Sequence, residues 1–398
     1  MPTNKEIDIL LDEISRKVSF FSINPINEKE EKRKFFNSKR YNPQFKYEVY
    51  QENIPKLQEQ LSEICPDNTV FGQLLKQARN IYYANLNMLK NRGNEKFTKY
   101  SVLCYGIPDD ELVEKANNLI RKLKPQKEKK SLNTKQVMKK IDYAFIKYGF
   151  KWNIKEKEMA ANAAVNVARK ELLLRKNTRF SEKFLKRLIV HEVGTHIVRA
   201  ENGEHQPYKL FARGLPNYLM TEEGLAVINE EINGCLDNTT LRNYAARVIA
   251  VDMALKSSFR ETYNYLRNYL DKELAWRTTL RAKRGLTDTS KSGGCTKDFA
   301  YLRGYFAVKS FIEEGHDLNK LYYGKIGLQH VESINKIPEL IDPEFLPTFR
   351  YLKFATEHFS YLLKSILFNI PTIKVIKVIG ENVGNFSTTI LLNGNSKR

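Results

Sequence analysis

The sequence predicts an α+β protein that is mainly helical, with one small β-sheet placed just before a long helix. Three observations carry this. Apolar residues recur at helical spacing over most of the 398 residues. Short apolar and β-branched runs, with Asn and Lys at their turns, interrupt that period in "KWNIKEKEM" and "ANAAVNVARKELLLRKNTRFS". Then "SEKFLKRLIVHEVGTHIVRA" resumes a continuous helical period behind Ser181, an N-cap residue, with Glu182 in the first turn.

Taken in order, "NKEIDILLDEISRKVSFF" and "NTVFGQLLKQARNIYYANLNMLKNRG" read as amphipathic helices, the second stopping at Gly93. Between them "FFNSKRYNPQFKYEVYQENIP" reads as extended, aromatic chain lying over the later part of the protein. The basic run "RKLKPQKEKK" holds Pro125 and almost no apolar residues, so it reads as a solvated linker. It sets the expected division: a helical region over 1–130, a catalytic domain over 131–370 and a peripheral segment over 371–398. "TKQVMKKIDYAFIKYGF" opens the second part as a helix. From 240 to 365 the pattern is again mostly helical, broken by the Gly- and Ser-rich loop "RAKRGLTDTSKSGGCTKD". The final "IKVIKVIGENVGNFSTTILLNGN" reads as a peripheral hairpin.

Composition narrows the classes. An apolar fraction of 42% with 21 Tyr and 22 Phe builds a packed core. The net charge of +20 points to an anionic partner or simply to a Lys-rich proteome, because 46 acidic residues are interleaved with the basic ones. No nucleic-acid-binding motif accompanies it. Four dispersed cysteines suggest neither a thiolate metal site nor a disulfide framework. With no apolar stretch long enough to span a bilayer and no leader-like segment, the expectation is a cytoplasmic protein without a transmembrane segment.

The stretch "RLIVHEVGTHIVRAENG" raises the chemical question. Two histidines four apart on a helix face the same way, which is why H-E-x-x-H chelates zinc and frees the Glu to act on water. Here His191 and His196 are five apart, about 500° along a regular helix, so their side chains diverge by about 140°. A one-residue π-type bulge removes that divergence, and Gly194 between them tolerates such a backbone. A catalytic zinc also needs a third ligand. His205 sits in an apparent loop. In "YLMTEEGLAVINEE", Thr221 reads as an N-cap, with Glu222 and Glu223 in the first turn either as ligand candidates or as complements to the helix dipole.

"HEVGTH", "RAENG", "FARGLPNYLMTEEGLAVINEE", "RAKRGL" and "CTKDFAYLRGY" together resemble the family of the microtubule-associated tyrosine carboxypeptidase, whose microbial members are described as QEGLA-motif proteins. The resemblance runs from about residue 40 to about residue 365. It implies a zincin-like metallopeptidase core with a small mixed β-sheet beside the motif helix. One Zn2+ ion is then held by His191, His196 and Glu223, with Glu192 as catalytic glutamate. Dipeptidyl peptidase III is similar in having a six-residue HExxxH site. One departure is visible: Glu222 stands where the family usually has Gln.

In this reading Glu192 takes a proton from water and returns it to the leaving amine. Tyr301 assists the oxyanion, and Lys297, four residues earlier, helps grip a substrate carboxylate. Arg303 and Tyr305 lie in the same segment. Arg213, Arg281 and Arg284 are further candidates for the terminal carboxylate, and Thr195, Asn202 and Gln206 for orienting the ligands. The expected substrate is a peptide or protein C-terminal tail, acidic or ending in an aromatic residue. Two rival readings are an amidase with a non-peptide substrate and a basic, nucleic-acid-binding regulator. An edge strand within residues 163–176 favours the peptidase.

Overall fold

The helices of the first third begin where side chains can cap them. Thr3 and Glu6 form a capping box at the start of Asn4–Lys17, Thr69 caps Val70–Lys90, and Asp109 caps Asp110–Lys122. The computed structural model describes residues 2–18, 20–159 and 162–347. Gly93, at φ +84°, ends the turn after the second of these helices as expected. The extended chain after the helix Glu28–Asn37 buries Phe45, whose N–H donates to the Thr287 carbonyl at 2.9 Å. Phe35 packs against Phe259 and Trp276 with ring centroids 5.1 Å apart in each pair. The aromatic N-terminal segment is thereby fastened to the later helices.

The same fastening crosses residue 130. Residues 123–131 carry no helix and are mostly exposed, as the linker reading expects. Yet Asp110–Lys122 packs along the helix Asn238–Lys256, and Arg242 of that helix donates to the carbonyls of Ile120 and Leu123. Met1–Phe349 accordingly forms one compact unit by its internal packing. The expected hairpin and peripheral segment after residue 370 lie outside the described residues.

The sheet region is mixed. Strands β1 (Leu132–Asn133) and β5 (Arg179–Phe180) make a short antiparallel ribbon. Strands β2 (Asn153–Lys157), β3 (Ala163–Asn166) and β4 (Glu171–Arg175) form a three-stranded sheet in the order β2-β4-β3, parallel on one side and antiparallel on the other. Leu172, Leu173 and Leu174 of β4 are buried, so the middle strand supplies the apolar layer. β3 packs against the motif helix. The α+β, mainly helical architecture with a small sheet beside that helix is what the sequence predicts.

Ser181 caps the motif helix through the Phe184 N–H, again as predicted. Its first part, Glu182–Leu188, is α-helical, Ile189–Ile197 is a π-helix, and Val198–His205 returns to α. The helix Leu219–Ile232 packs against the π segment on one side and against the helix Ala300–Glu313 on the other. Here the sequence reading needs correction: the helix starts two residues before Thr221, which is therefore not its N-cap. Tyr218 occupies that position, and the Thr221 hydroxyl instead accepts the Leu328 N–H at 2.9 Å. Gly224 and Gly304 meet where the two helices cross. A Cβ on Gly304 would fall 1.8 Å from the Met220 carbonyl oxygen, so no larger residue fits this crossing.

Candidate metal centre

Hydrogen bonding from i to i+5 makes five residues close to one full turn, so the π segment brings His191 and His196 to the same side. Their ring centroids are 4.9 Å apart and the rings nearly perpendicular, at 85°. The Thr195 hydroxyl donates to the Val190 carbonyl, five residues back, at 3.1 Å, and accepts from Asn229 Nδ2 at 2.7 Å. This pins the irregular turn to the neighbouring helix. Without the wider turn the two imidazoles would point apart.

Each imidazole uses Nδ1 on a carboxylate and leaves Nε2 for the space between them. His191 Nδ1 lies 2.7 Å from Glu230 Oε1, and His196 Nδ1 lies 2.9 Å from Glu222 Oε1. A carboxylate beside Nδ1 holds the proton there and leaves a lone pair on Nε2. Both Nε2 atoms face Glu223 Oε2, at 3.8 Å from His191 and 3.7 Å from His196. That oxygen is buried and has no hydrogen-bond partner. Donor atoms of His191, His196 and Glu223 all lie within 4.8 Å of one another. Two neutral imidazole nitrogens and one carboxylate oxygen form a donor set suited to zinc, and an unpartnered buried carboxylate oxygen is costly unless a cation meets it.

The surrounding carboxylates favour positive charge at His191, either a proton or a cation at Nε2. Burial lowers the affinity of His191 for a proton, but the carboxylates of Glu230, Glu192 and Glu223 together outweigh it and raise its pKa. For Glu222, burial opposes ionisation, while Lys325, Arg199 and His196 more than offset it and hold the carboxylate well below its usual range. Lys325 Nζ is 2.8 Å from Glu222 Oε1, and Arg199 pairs with its other oxygen. Glu222 thus faces His196 and two cations, and it is Glu223 that points between the histidines. Glu192 is half-buried and makes no side-chain hydrogen bond among the described residues.

Tyr301 lies beside the cluster, its ring centroid 6.4 Å from that of His191 and nearly parallel to it at 19°. Burial and the Glu223 charge push its phenol pKa up, so the group is a neutral hydrogen-bond donor. The Gly224–Gly304 crossing sets this placement, since Tyr301 is one turn ahead of Gly304 and Glu223 adjoins Gly224.

The other expected residues are distributed differently. Lys297 stands in a 3-10 turn, Lys297–Phe299, ahead of the helix that carries Tyr301, so its four-residue spacing does not put the two on one α-helical face. Arg213 is taken up by Asp12 and by Glu204, the latter at 3.3 Å, and ties the first helix to its neighbour. Arg281 grips Asp298 with two nitrogens, and Arg284 approaches the same carboxylate at 3.5 Å. Arg303 pairs with Asp109, and Tyr305 donates to Glu231 at 3.0 Å. Asn202 and Gln206 do not orient the histidines. They strap the chain at Phe345 and Ile341 by paired backbone hydrogen bonds. His205 pairs with Glu344 at 2.7 Å on the surface.

Several contributors escaped the sequence reading. Glu230 is seven residues after Glu223, two turns along the same face, and that interval was there to be read. Arg199, three after His196, had the same signal. Lys325 had none, because distant chain brings it in.

Fold and site together define a mainly helical α+β protein with a buried two-histidine, one-carboxylate cluster set between its central helices. The model of the family described as microtubule-associated tyrosine carboxypeptidase matches residues 33–369, and the chain belongs to that family. Among curated relatives, microtubule-associated tyrosine carboxypeptidase 1 of Rattus norvegicus is 28% identical over 297 residues, covering 72% of this chain and 55% of the relative. The Homo sapiens protein of the same name is 34% identical over 131 residues, 31% of this chain and 27% of the relative. The Mus musculus protein is 28% identical over 186 residues, 44% of this chain and 39% of the relative. The matched part is therefore between about a quarter and about half of those relatives' length. No described helix is long and apolar enough to cross a membrane.

Proposed function

We propose that the protein is a zinc-dependent carboxypeptidase that removes a C-terminal residue, tyrosine or another aromatic, from a peptide or protein tail. The observation that carries this is Glu223 Oε2, buried, unpartnered and facing both histidine Nε2 atoms. His191, His196 and Glu223 would hold the ion, with Glu230 and Glu222 fixing the two imidazoles from behind. The family name borne by the relatives supports the carboxypeptidase chemistry.

The chemistry that a zinc ion supplies in such a site is Lewis acidity, which polarises a carbonyl and makes water nucleophilic near neutral pH. Glu192, next to His191 and without a side-chain hydrogen bond among the described residues, accepts the proton of the attacking water and delivers it to the leaving amine nitrogen. The neutral Tyr301 phenol donates to the oxygen on which negative charge develops. Among the described residues β3 pairs with β4 on one side only, and it lies against the motif helix, so its other edge is a place for an extended substrate backbone. The net charge of +20 suits an acidic tail. A cytoplasmic setting belongs to the same proposal, supported by four cysteines that form no disulfide.

The test is zinc content by elemental analysis, together with C-terminal release from a peptide library, on wild type, Glu223→Ala and Glu192→Gln. Wild type should hold about one zinc, Glu223→Ala should lose it, and Glu192→Gln should keep it while turnover falls by about 10²-fold or more. A wild type that takes up no zinc when supplied with it would end the proposal.

A further inference from the structure

Beyond the cluster, the helix Asn238–Lys256 lays Tyr244 and Arg247 on one face, three residues apart. The Tyr244 hydroxyl donates to Glu230 Oε1 at 3.1 Å, and its ring stacks on Tyr301 with centroids 5.2 Å apart and planes 8° apart. The Arg247 guanidinium lies over the Tyr301 ring, 4.3 Å from its centroid. The Tyr301 ring thus neighbours both His191 and Arg247.

Arg247 differs from the other cations around it. Its guanidinium makes no hydrogen bond or ion pair among the described residues, and its Nη1 is buried with no partner. The neighbouring carboxylate, Asp298, is already held by Arg281 through two nitrogens and approached by Arg284. Arg284 also reaches Asn24 Oδ1 at 3.2 Å. Arg247 is close enough to help stabilise the Asp298 charge. Three guanidiniums thus gather around one carboxylate, leaving an excess of positive charge. The one without a hydrogen bond or ion pair among the described residues is the one lying over Tyr301. A buried guanidinium nitrogen without an acceptor costs free energy that an incoming anion recovers.

Resting on the carboxypeptidase reading, we infer that Arg247 is the residue that binds the α-carboxylate of the substrate's last residue. A planar guanidinium suits a carboxylate's two oxygens. Tyr301, next to both Arg247 and His191, then lines the space that holds the terminal carboxylate and the scissile carbonyl. Arg281, Arg284 and Asp298 act as a brace that keeps the charge here positive while leaving Arg247 unclaimed. Arg213, favoured by sequence, is already held by Asp12 and Glu204.

The experiment measures binding, so that it does not depend on turnover. Zinc-loaded, full-length Glu192→Gln protein is titrated with three peptides built on the sequence wild type cleaves best. One is the free acid, one the C-terminal amide, and one an amide whose last residue is Glu. If wild type cleaves nothing, Gly-Gly-Tyr and the two corresponding amides are used.

The free acid should bind at least about tenfold tighter than either amide, the weight of one charge-assisted hydrogen bond. Adding Arg247→Met should erase the difference, and Arg247→Lys should retain part of it. Equal binding of acid and amide before any change at Arg247 overturns the inference, and needs no Arg247 variant to fold. So does an acid preference that survives Arg247→Met in protein with normal zinc content. Cleavage without acid preference leaves the peptidase reading standing and removes Arg247. Acid-selective, Arg247-dependent binding without any cleavage does the reverse. Tight binding of the Glu amide alone assigns the pocket to a side-chain carboxylate and overturns the α-carboxylate assignment.

Discussion

Glu230 Oε1 sits 2.7 Å from His191 Nδ1 and also accepts the Tyr244 hydroxyl at 3.1 Å, while its side chain is wholly buried. One carboxylate therefore fixes both the tautomer of a histidine and the position of the tyrosine stacked on Tyr301. Glu230→Gln should weaken zinc binding by about 10- to 100-fold in chelator competition, without changing the far-UV circular dichroism. Unchanged zinc affinity would remove Glu230 from the site.

Tyr301→Phe deletes one hydroxyl and keeps the ring against His191, Tyr244 and Arg247. Turnover should fall by about 10²-fold, with zinc content unchanged and KM moved much less. A rise in KM at constant kcat would instead mean that the hydroxyl serves binding.

Glu222 holds two buried cations as well as His196. Removing its charge in Glu222→Gln leaves Arg199 and Lys325 uncompensated and should cost about 3–5 kcal/mol in denaturant unfolding. Adding Lys325→Met should recover at least about 1 kcal/mol relative to the sum of the single changes, because the three groups form one network.

His330 offers a test by pH. Burial, then the nearby Arg199 charge, lowers its pKa to about 4, and its Nδ1 accepts the Gly327 N–H at 2.8 Å. The unfolded chain binds this proton near pH 6.5, so His330 removes stability as pH falls from about 6.5 to about 4, by up to about 3 kcal/mol. Asp8 acts oppositely: burial raises its pKa to about 6, so it adds stability as pH falls through that range. The difference between wild type and His330→Asn isolates the histidine. It should slope across pH 4–6.5 and be flat above pH 7.

Gly304→Ala places a methyl group against the Met220 carbonyl. The two helices must separate, at a cost of about 1–3 kcal/mol in thermal or denaturant unfolding. Turnover should fall as well, because Glu223 and Tyr301 lie on opposite sides of that crossing.

What the sequence made legible was periodic or local. The helix cap at Ser181, the small sheet just before the motif helix and the need for a bulge at Gly194 all follow from spacing. What stayed hidden came from chain far away. Lys325 reaches Glu222 across 103 residues, and Arg247 meets Tyr301 only because the helix Asn238–Lys256 packs against Ala300–Glu313. Thr221 misled because a Thr before two Glu residues looks like a cap, whereas tertiary contact extends the helix backwards and turns its hydroxyl to Leu328. Arg213 looked available because its partner Asp12 is 201 residues away.

The π segment also works as a phase shifter for everything after it. One residue beyond the α-helical count turns the rest of the helix by about 100°. Arg199, Asn202 and Gln206 then point at the chain between residues 321 and 345. Deleting Gly194 would produce the common H-E-x-x-H interval and bring the histidines into register on a plain α-helix. Straightening the segment into α-helix with Gly194 kept would instead turn His196 and Arg199 together by about 100°, taking Arg199 off Glu222 and unlatching the strapped segment. In this molecule the unusual interval is a gear between the metal cluster and the chain that encloses it, and neither can be reset alone.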